Sequence, residues 1–294
     1  MPDPTPFILG AGSVGLGLAL ALKDKGIVPK GMWNRRETEN LREFSAQIAA
    51  PVFTTPLSKA TREFREVLEG SSLVILAVSD DSISNIAHSL IQNKLISPDT
   101  VLTHLSGCLT ADILRKGPSP FSGSFHPLTA CPTPHLARQT LADTFFTLEG
   151  GQAAVPILER LIKQLGGRSK TINGAQKEQY HAAAVLASNL MVALLAIARD
   201  EAAEAGLEGL ENELASLAIG ALRRTQDCGM ERGLTGPLVR GDRTTITQHL
   251  GALSPSGEEA YRLLSLRALS LIPEGKLTAD TKEQLAKALS KDSP

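Results

Sequence analysis

Apolar residues in the first half of the chain fall in short, nearly unbroken runs, each followed by a stretch with helical spacing. "PFIL" (6–9), "GMWN" (31–34), "PVFTT" (51–55), "SLVILAVSDD" (72–81) and "TVLTHLSG" (100–107) read as five successive strands. Runs that are apolar at every position, not every second one, suit strands of a parallel sheet buried on both faces. Between them, 14–25, the polar segment after Glu37, and "SISNIAHSLI" (82–91) read as helices. The segment ending at His126 is strand-like and Pro127 ends it. The prolines that follow predict a stiff irregular crossing, and "TFFTLEG" and "GGRSKTI" read as two more strands around the helix "VPILERLIKQLG". Strands alternating with helices predict a doubly wound α/β domain over residues 1–172.

From Asn173 the strand signals stop. Asn173 and Gln176 have the spacing of a capping box, and Gly206 suits a helix end. The alanine-rich span between them predicts one long helix, about 48 Å at the helical rise. It is apolar on all sides in its middle, as in helices covered by other helices or by a second subunit. Residues 173–294 are therefore expected to form an all-α domain and a homodimer through its helices.

Three glycines sharpen this picture. Gly10, Gly12 and Gly15 follow the first strand and open the first helix with G-x-G-x-x-G spacing. The first allows a tight turn, the second lets backbone approach a pyrophosphate, and the third lets helix and strand pack closely. The helix start at Ser13 and Val14 would offer backbone N–H groups and a positive dipole end to the phosphates. At the end of the second strand, where NAD enzymes usually carry a carboxylate for the ribose, stand Asn34, Arg35 and Arg36. Two guanidiniums with no carboxylate predict a 2′-phosphate there, hence NADP(H); the alternative is a solvated turn. Ligands of such sheets lie beyond the carboxyl ends of the strands. That places Val78, Ser79, His104 and Ser106 on the cofactor rim, although Asp81 and Ser82 also suit helix capping.

Composition adds limits. The net charge of −1 gives no reason to expect nucleic acid or an anionic membrane. The three cysteines have neither zinc nor redox spacing, so reduced cytoplasmic thiols and no metal are expected. Cys131 and His135 lack a second ligand pair. The chain has no leader-like start, and "RGD" at 240–242 is taken as coincidence.

The long helix carries His181, Ser188 and Asn189, which fall on one face with Val185 and are bordered by Tyr180. These polar groups either satisfy local backbone or meet a substrate and the nicotinamide. His126 is a second candidate for the substrate side, or else a buried imidazole bonded to backbone. In "LTGPLVRGDRTTITQHL" (234–250), Asp242 is placed to start a helix, and Thr235, Arg240 and Asp242 predict a site for a carboxylate or phosphate.

"GAGSVG", "VILAVSDD", "HLSG", "SFHPL", "YHAAAVLASN" and "TGPLVRGDRTTITQHL", in this order, resemble a bacterial family joining a Rossmann-like domain to a helical domain of unknown function. That family is similar to pyrroline-5-carboxylate reductase and, more distantly, to the 6-phosphogluconate dehydrogenase superfamily. The resemblance implies an NADP-dependent oxidoreductase that passes a hydride to a C=N or C=O carbon of a small carboxylate. It implies that Thr235 to Thr245 hold the carboxylate and that His181, Ser188 and Asn189 face the nicotinamide; because imidazole titrates near neutrality, His181 is the expected proton donor. It departs at Val185, where the hydroxyacid dehydrogenases carry a proton-transfer lysine. The other class of function open to the sequence is an NADP(H)-responsive sensor without turnover.

Overall fold

The computed structural model describes residues 3–290. The chain divides into two compact units, Met1–Val185 and Leu186–Pro294.

The first unit is built on eight strands: β1 (Pro6–Leu9), β2 (Gly31–Trp33), β3 (Val52–Phe53), β4 (Leu73–Leu76), β5 (Val101–His104), β6 (Ser122–Pro127), β7 (Phe145–Gly150) and β8 (Arg168–Thr171). Their order in the sheet is β3-β2-β1-β4-β5-β6-β7-β8. All neighbours run parallel except β6 and β7. Helices α1 (Ser13–Asp24), α2 (Glu39–Ile48), α3 (Arg62–Glu69), α4 (Asp80–Gln92), α5 (Pro134–Leu141) and α6 (Ala154–Leu165) cover it, and α7 (Lys177–Ala187) follows β8. The unit is a Rossmann-type doubly wound domain.

The unbroken apolar runs have a direct cause. Ile8, Leu73 and Ile75 point into a core under α1, α2, α5 and α6. Their neighbours Phe7, Leu9, Val74 and Leu76 enter a second core under α3 and α4. Strand side chains alternate between faces, so covering both faces requires apolar residues at consecutive positions.

Two segments differ from expectation. The proline-rich crossing after Pro127 contains a helix, α5, because Thr133 caps it by accepting from the Leu136 N–H and Pro134 occupies its first turn. Proline suits that position, where its missing N–H has no partner to lose. The expected single long helix is interrupted. Ser188 (φ −122°, ψ −76°) separates α7 from α8 (Asn189–Glu204).

The second unit is helical, as expected: after α8 come α9 (Glu211–Cys228), α10 (Met230–Gly233), α11 (Pro237–Arg240), α12 (Arg243–Ala252), α13 (Pro255–Leu269) and α14 (Ala279–Leu289). Its small core gathers Leu238, Ile246, Leu269, Ile272, Leu285 and Leu289. Large apolar side chains on α8, α9 and α13 lie outside that core; Val192, Leu217 and Leu263 are each more than two-thirds exposed. Residues 174–204 form a helical stretch long and apolar enough to cross a membrane by length and composition, with mean hydropathy 2.0 over its most apolar window, none of it buried.

The glycines of the first turn separate packing from ligand access. A Cβ on Gly15 would lie 2.1 Å from the Gly10 carbonyl oxygen, whereas one on Gly12 meets nothing within 4 Å. Gly15→Ala is therefore expected to cost about 1–3 kcal/mol through overpacking, and Gly12→Ala less than about 1 kcal/mol. Urea unfolding of the two variants measures the contrast; equal losses would contradict it.

Candidate active site

The strand order reverses between β1 and β4, and a cleft opens there beyond their carboxyl ends, where such sheets bind ligands. Gly10 follows β1 at φ +113°, with the Ala77 carbonyl oxygen 2.1 Å from where its side chain would begin. Its N–H donates to Trp33 O at 2.8 Å. Gly12 then starts α1 with no side-chain cap and no acidic residue in the first turn. Uncapped N–H groups at a 12-residue helix are the arrangement that accepts an anion.

Three recesses meet at Gly12. The first, about 380 Å³, lies between the glycine turn, Asn34 and Val78–Ser79. The second, about 350 Å³, is bordered by Arg35, Arg36, Thr38 and Asn40. The third, about 340 Å³, is lined by Val14, Asp80, Ser106, His126 and Cys131. Asn34 joins the first two. Its Oδ1 accepts from the Ala11 N–H at 3.2 Å and its Nδ2 donates to Arg36 O at 2.7 Å. The amide thus ties the glycine turn to the arginine pair. Both guanidiniums are exposed and form no ion pair among the described residues; the nearby Glu37 is engaged by Arg42. These groups fit a dinucleotide.

Other predicted rim residues have their polar groups committed. The Ser13 hydroxyl donates to Pro132 O at 3.0 Å, which leaves its backbone for a ligand. The Ser79 hydroxyl pairs with Ser82. His104 lines none of the three recesses. It is fully buried, its Nδ1 accepts from the Ser106 N–H, and its Nε2 donates to Thr110 O. Burial pushes its pKa down to about 4, so it supports the loop as a neutral imidazole. Ser106 organises that loop. Its hydroxyl donates to Asp80 at 2.8 Å and accepts from the N–H groups of Cys108 and Leu109.

Behind the third recess lies an aromatic and imidazole cluster. His126 at the end of β6 pairs through Nδ1 with the Tyr180 hydroxyl at 2.9 Å. Its ring meets that of His181 edge-on, with centroids 5.3 Å apart. Gly107 packs against both imidazoles: a Cβ there would lie 2.4 Å from His181 Nδ1 and 3.0 Å from His126 Nε2. Burial, and then His181 and Lys177, push His126 down to about 4. His181 Nδ1 is buried without a hydrogen-bond partner among the described residues.

A buried lysine completes the cluster, and sequence reasoning missed it. Lys177 is 1% exposed and donates to Ser106 O at 3.1 Å and to the Ser124 hydroxyl at 2.8 Å. In "GAQKEQ" it reads as an ordinary polar residue of a first helical turn. The available clue was its spacing, four residues before His181 on one helix face. A lysine is thus absent at Val185, yet one is buried two turns earlier.

The remaining candidates belong to the second unit. Ser188, at the helix break, donates to Asn189 Oδ1 at 2.9 Å. The interruption removes the single helical face that was to align both residues with His181. Asp242 starts α12 as foreseen, accepting from the Thr245 N–H at 3.1 Å and the Thr245 hydroxyl at 2.7 Å. Those bonds hold its carboxyl below the usual range. The chain's own carboxylate thus stands at the helix start where an anion is expected. Thr235 borders a mostly apolar cavity of about 490 Å³ with Leu194, Leu238 and Tyr261, which does not suit a carboxylate. Arg240 ends the short α11 and is exposed.

Residues 6–102 match the family described as NADP oxidoreductase coenzyme F420-dependent, and residues 144–268 match a domain of unknown function, DUF2520. No curated protein matches the chain. Among solved structures, a Bacteroides fragilis protein provisionally called an NADP oxidoreductase is 21% identical, with a TM-score of 0.69, over 90% of this chain and 98% of its own. A pyrroline-5-carboxylate reductase from Coxiella burnetii is 15% identical, with a TM-score of 0.58, over 92% and 100%. A reductive aminase from Aspergillus terreus, solved with NADPH4, cyclohexanone and allyl amine, is 17% identical, with a TM-score of 0.56, over 97% and 99%. The fold is that of pyridine-nucleotide oxidoreductases.

The buried imidazoles set a pH dependence. Unfolded histidine takes a proton near pH 6.5, whereas His104 and His126 resist it to about 4. Stability is full above the higher value and declines as pH falls between the two. For the fully buried His104 the loss approaches about 3 kcal/mol. The urea midpoint should fall between pH 7 and pH 5; a flat profile would be inconsistent with neutral burial.

Proposed function

We propose that the protein is an NADP(H)-dependent reductase acting on a C=N or C=O carbon of a small substrate. One observation carries this reading: the arginine-bordered recess and the uncapped start of α1 meet at Gly12, beside a third recess containing His126. Arg35 and Arg36 would hold the 2′-phosphate by charge-assisted bonds, and the N–H groups of α1 the diphosphate. The bound dinucleotide supplies the hydride. The chain's own task is to orient the acceptor and deliver a proton to its heteroatom. His126 lines the recess as a neutral imidazole and is assigned to orienting the acceptor, while His181, whose ring meets it edge-on, is the group assigned to proton delivery. The carboxylate site expected around Thr235 to Asp242 does not enter this reading.

The exposed apolar faces of α8, α9 and α13 belong to the same proposal. A monomer rarely leaves such faces wet, and a second copy offers the same surface in return. A homodimer in solution would cover them.

Thermal-shift titration should give tighter binding of NADPH than of NADH. Replacing both Arg35 and Arg36 by Ala should weaken NADPH by about tenfold or more and remove the preference. Equal binding of the two cofactors by the unaltered chain would rule out the 2′-phosphate reading. NADPH oxidation is then screened against cyclic imines and keto acids. His126→Ala and His181→Ala should lower turnover strongly with NADPH affinity intact. Binding without turnover on any substrate would identify a sensor. Light scattering should give twice 31.2 kDa, and Val192→Glu with Leu217→Glu should reduce it to the monomer mass.

A further inference from the structure

Of the buried groups in the first unit, Lys177 has the most demanding surroundings. A buried ammonium requires hydrogen-bond acceptors and compensating charge. Ser106 O and Ser124 Oγ supply the acceptors. The compensating charge arrives through Ser124, whose hydroxyl donates to Glu149 Oε2 at 3.2 Å; the same oxygen accepts from the Ala111 N–H at 2.8 Å. A chain of bonds therefore runs from α7 across β6 to β7. At its other end, Ser106 carries Asp80 and precedes Gly107, which touches both imidazoles.

We infer that Lys177 is a positioning residue: its ammonium, clamped between Ser106 and Ser124, locks the first turn of α7 to the loop after β5 and to the middle of β6, and sets Tyr180 and His181 against His126 and Gly107. Lys177 is 1% exposed, and it lines none of the recesses at Gly12. Its effect on the site has two parts. One is geometric, since Lys177, Tyr180 and His181 occupy one turn of one helix. The other is electrostatic, since a fixed cation near His126 disfavours its protonation. The charged and titratable groups facing His126 are Lys177, Tyr180 and His181 on α7, with Asp80 at the start of α4 and the Cys131 thiol lining the same recess. Burial lowers the Lys177 pKa, while Glu149, then Cys108 and Asp80, oppose that shift.

The inference rests on the reductase reading for the purpose of the site, but its test needs neither cofactor nor turnover. Histidine ring resonances of the full chain are followed between pH 4.5 and 8, with His126 assigned by its loss in His126→Gln. In the unaltered chain His126 should remain neutral at pH 5. In Lys177→Met its titration midpoint should rise by about half a unit or more, while Lys177→Arg, which keeps the charge, should restore the original behaviour. A folded Lys177→Met in which His126 titrates as before would overturn the inference and leave the lysine a general support of the fold. If Lys177→Met does not fold, Ser124→Ala serves, because it removes one acceptor and leaves the lysine. It should loosen the clamp and weaken the ring-to-ring NOE between His126 and His181, which stand 5.3 Å apart, and an unchanged NOE would equally overturn the inference. Failure to bind NADPH would count against the reductase reading alone.

Discussion

The close approach of two strand ends governs this molecule. Beyond β1 the backbone at Gly10 passes so near the Ala77 carbonyl that no side chain fits, and the Gly10 carbonyl meets Gly15 in the same way. These contacts draw the start of α1 over the point where the strand order reverses. The same turn that closes the packing also leaves Gly12 facing open space. Close packing on one side and access on the other come from a few residues of bare backbone, which is why the cleft, the arginine recess and the histidine recess all meet there.

Around that turn the polar groups divide into those spent on structure and those left available. Asn34 spends its amide on Ala11 and Arg36 and so holds the two arginines beside the turn. His104 spends both nitrogens on the loop that Ser106 organises. Asp242 spends its carboxylate on its own helix. The uncapped N–H groups of α1 and the exposed guanidiniums of Arg35 and Arg36 are not spent in this way. Buried polar groups need partners, so the groups without internal partners mark where a ligand can gain most.

The histidine cluster shows the same economy at a buried site. Lys177 would be costly alone, yet with Ser106, Ser124 and Glu149 it joins three elements by hydrogen bonds. Cooperative polar networks of this kind fix geometry more strictly than apolar packing does. His126 and His181 meet edge-on over Gly107, so a loop glycine, a strand end and a helix turn converge on one small volume.

Local pattern by itself determined the strands, the glycine turn, the arginine pair after β2 and the change to helices after Asn173. Each depends on residues close in sequence: consecutive apolar positions, a fixed glycine spacing, a capping pair. Tertiary structure alone decided which polar residues are buried and with whom. Lys177 and Glu149 look like surface residues when read in line, because nothing near either in sequence shows that Ser124 of β6 stands between them. The break at Ser188 was equally hidden, since alanine and leucine on both sides favour a continuous helix. Asp242 was read correctly as a helix start, and only the folded chain showed both its oxygens engaged by Thr245. Hydrogen bonds between residues distant in sequence leave no periodic trace, and they made most of this site.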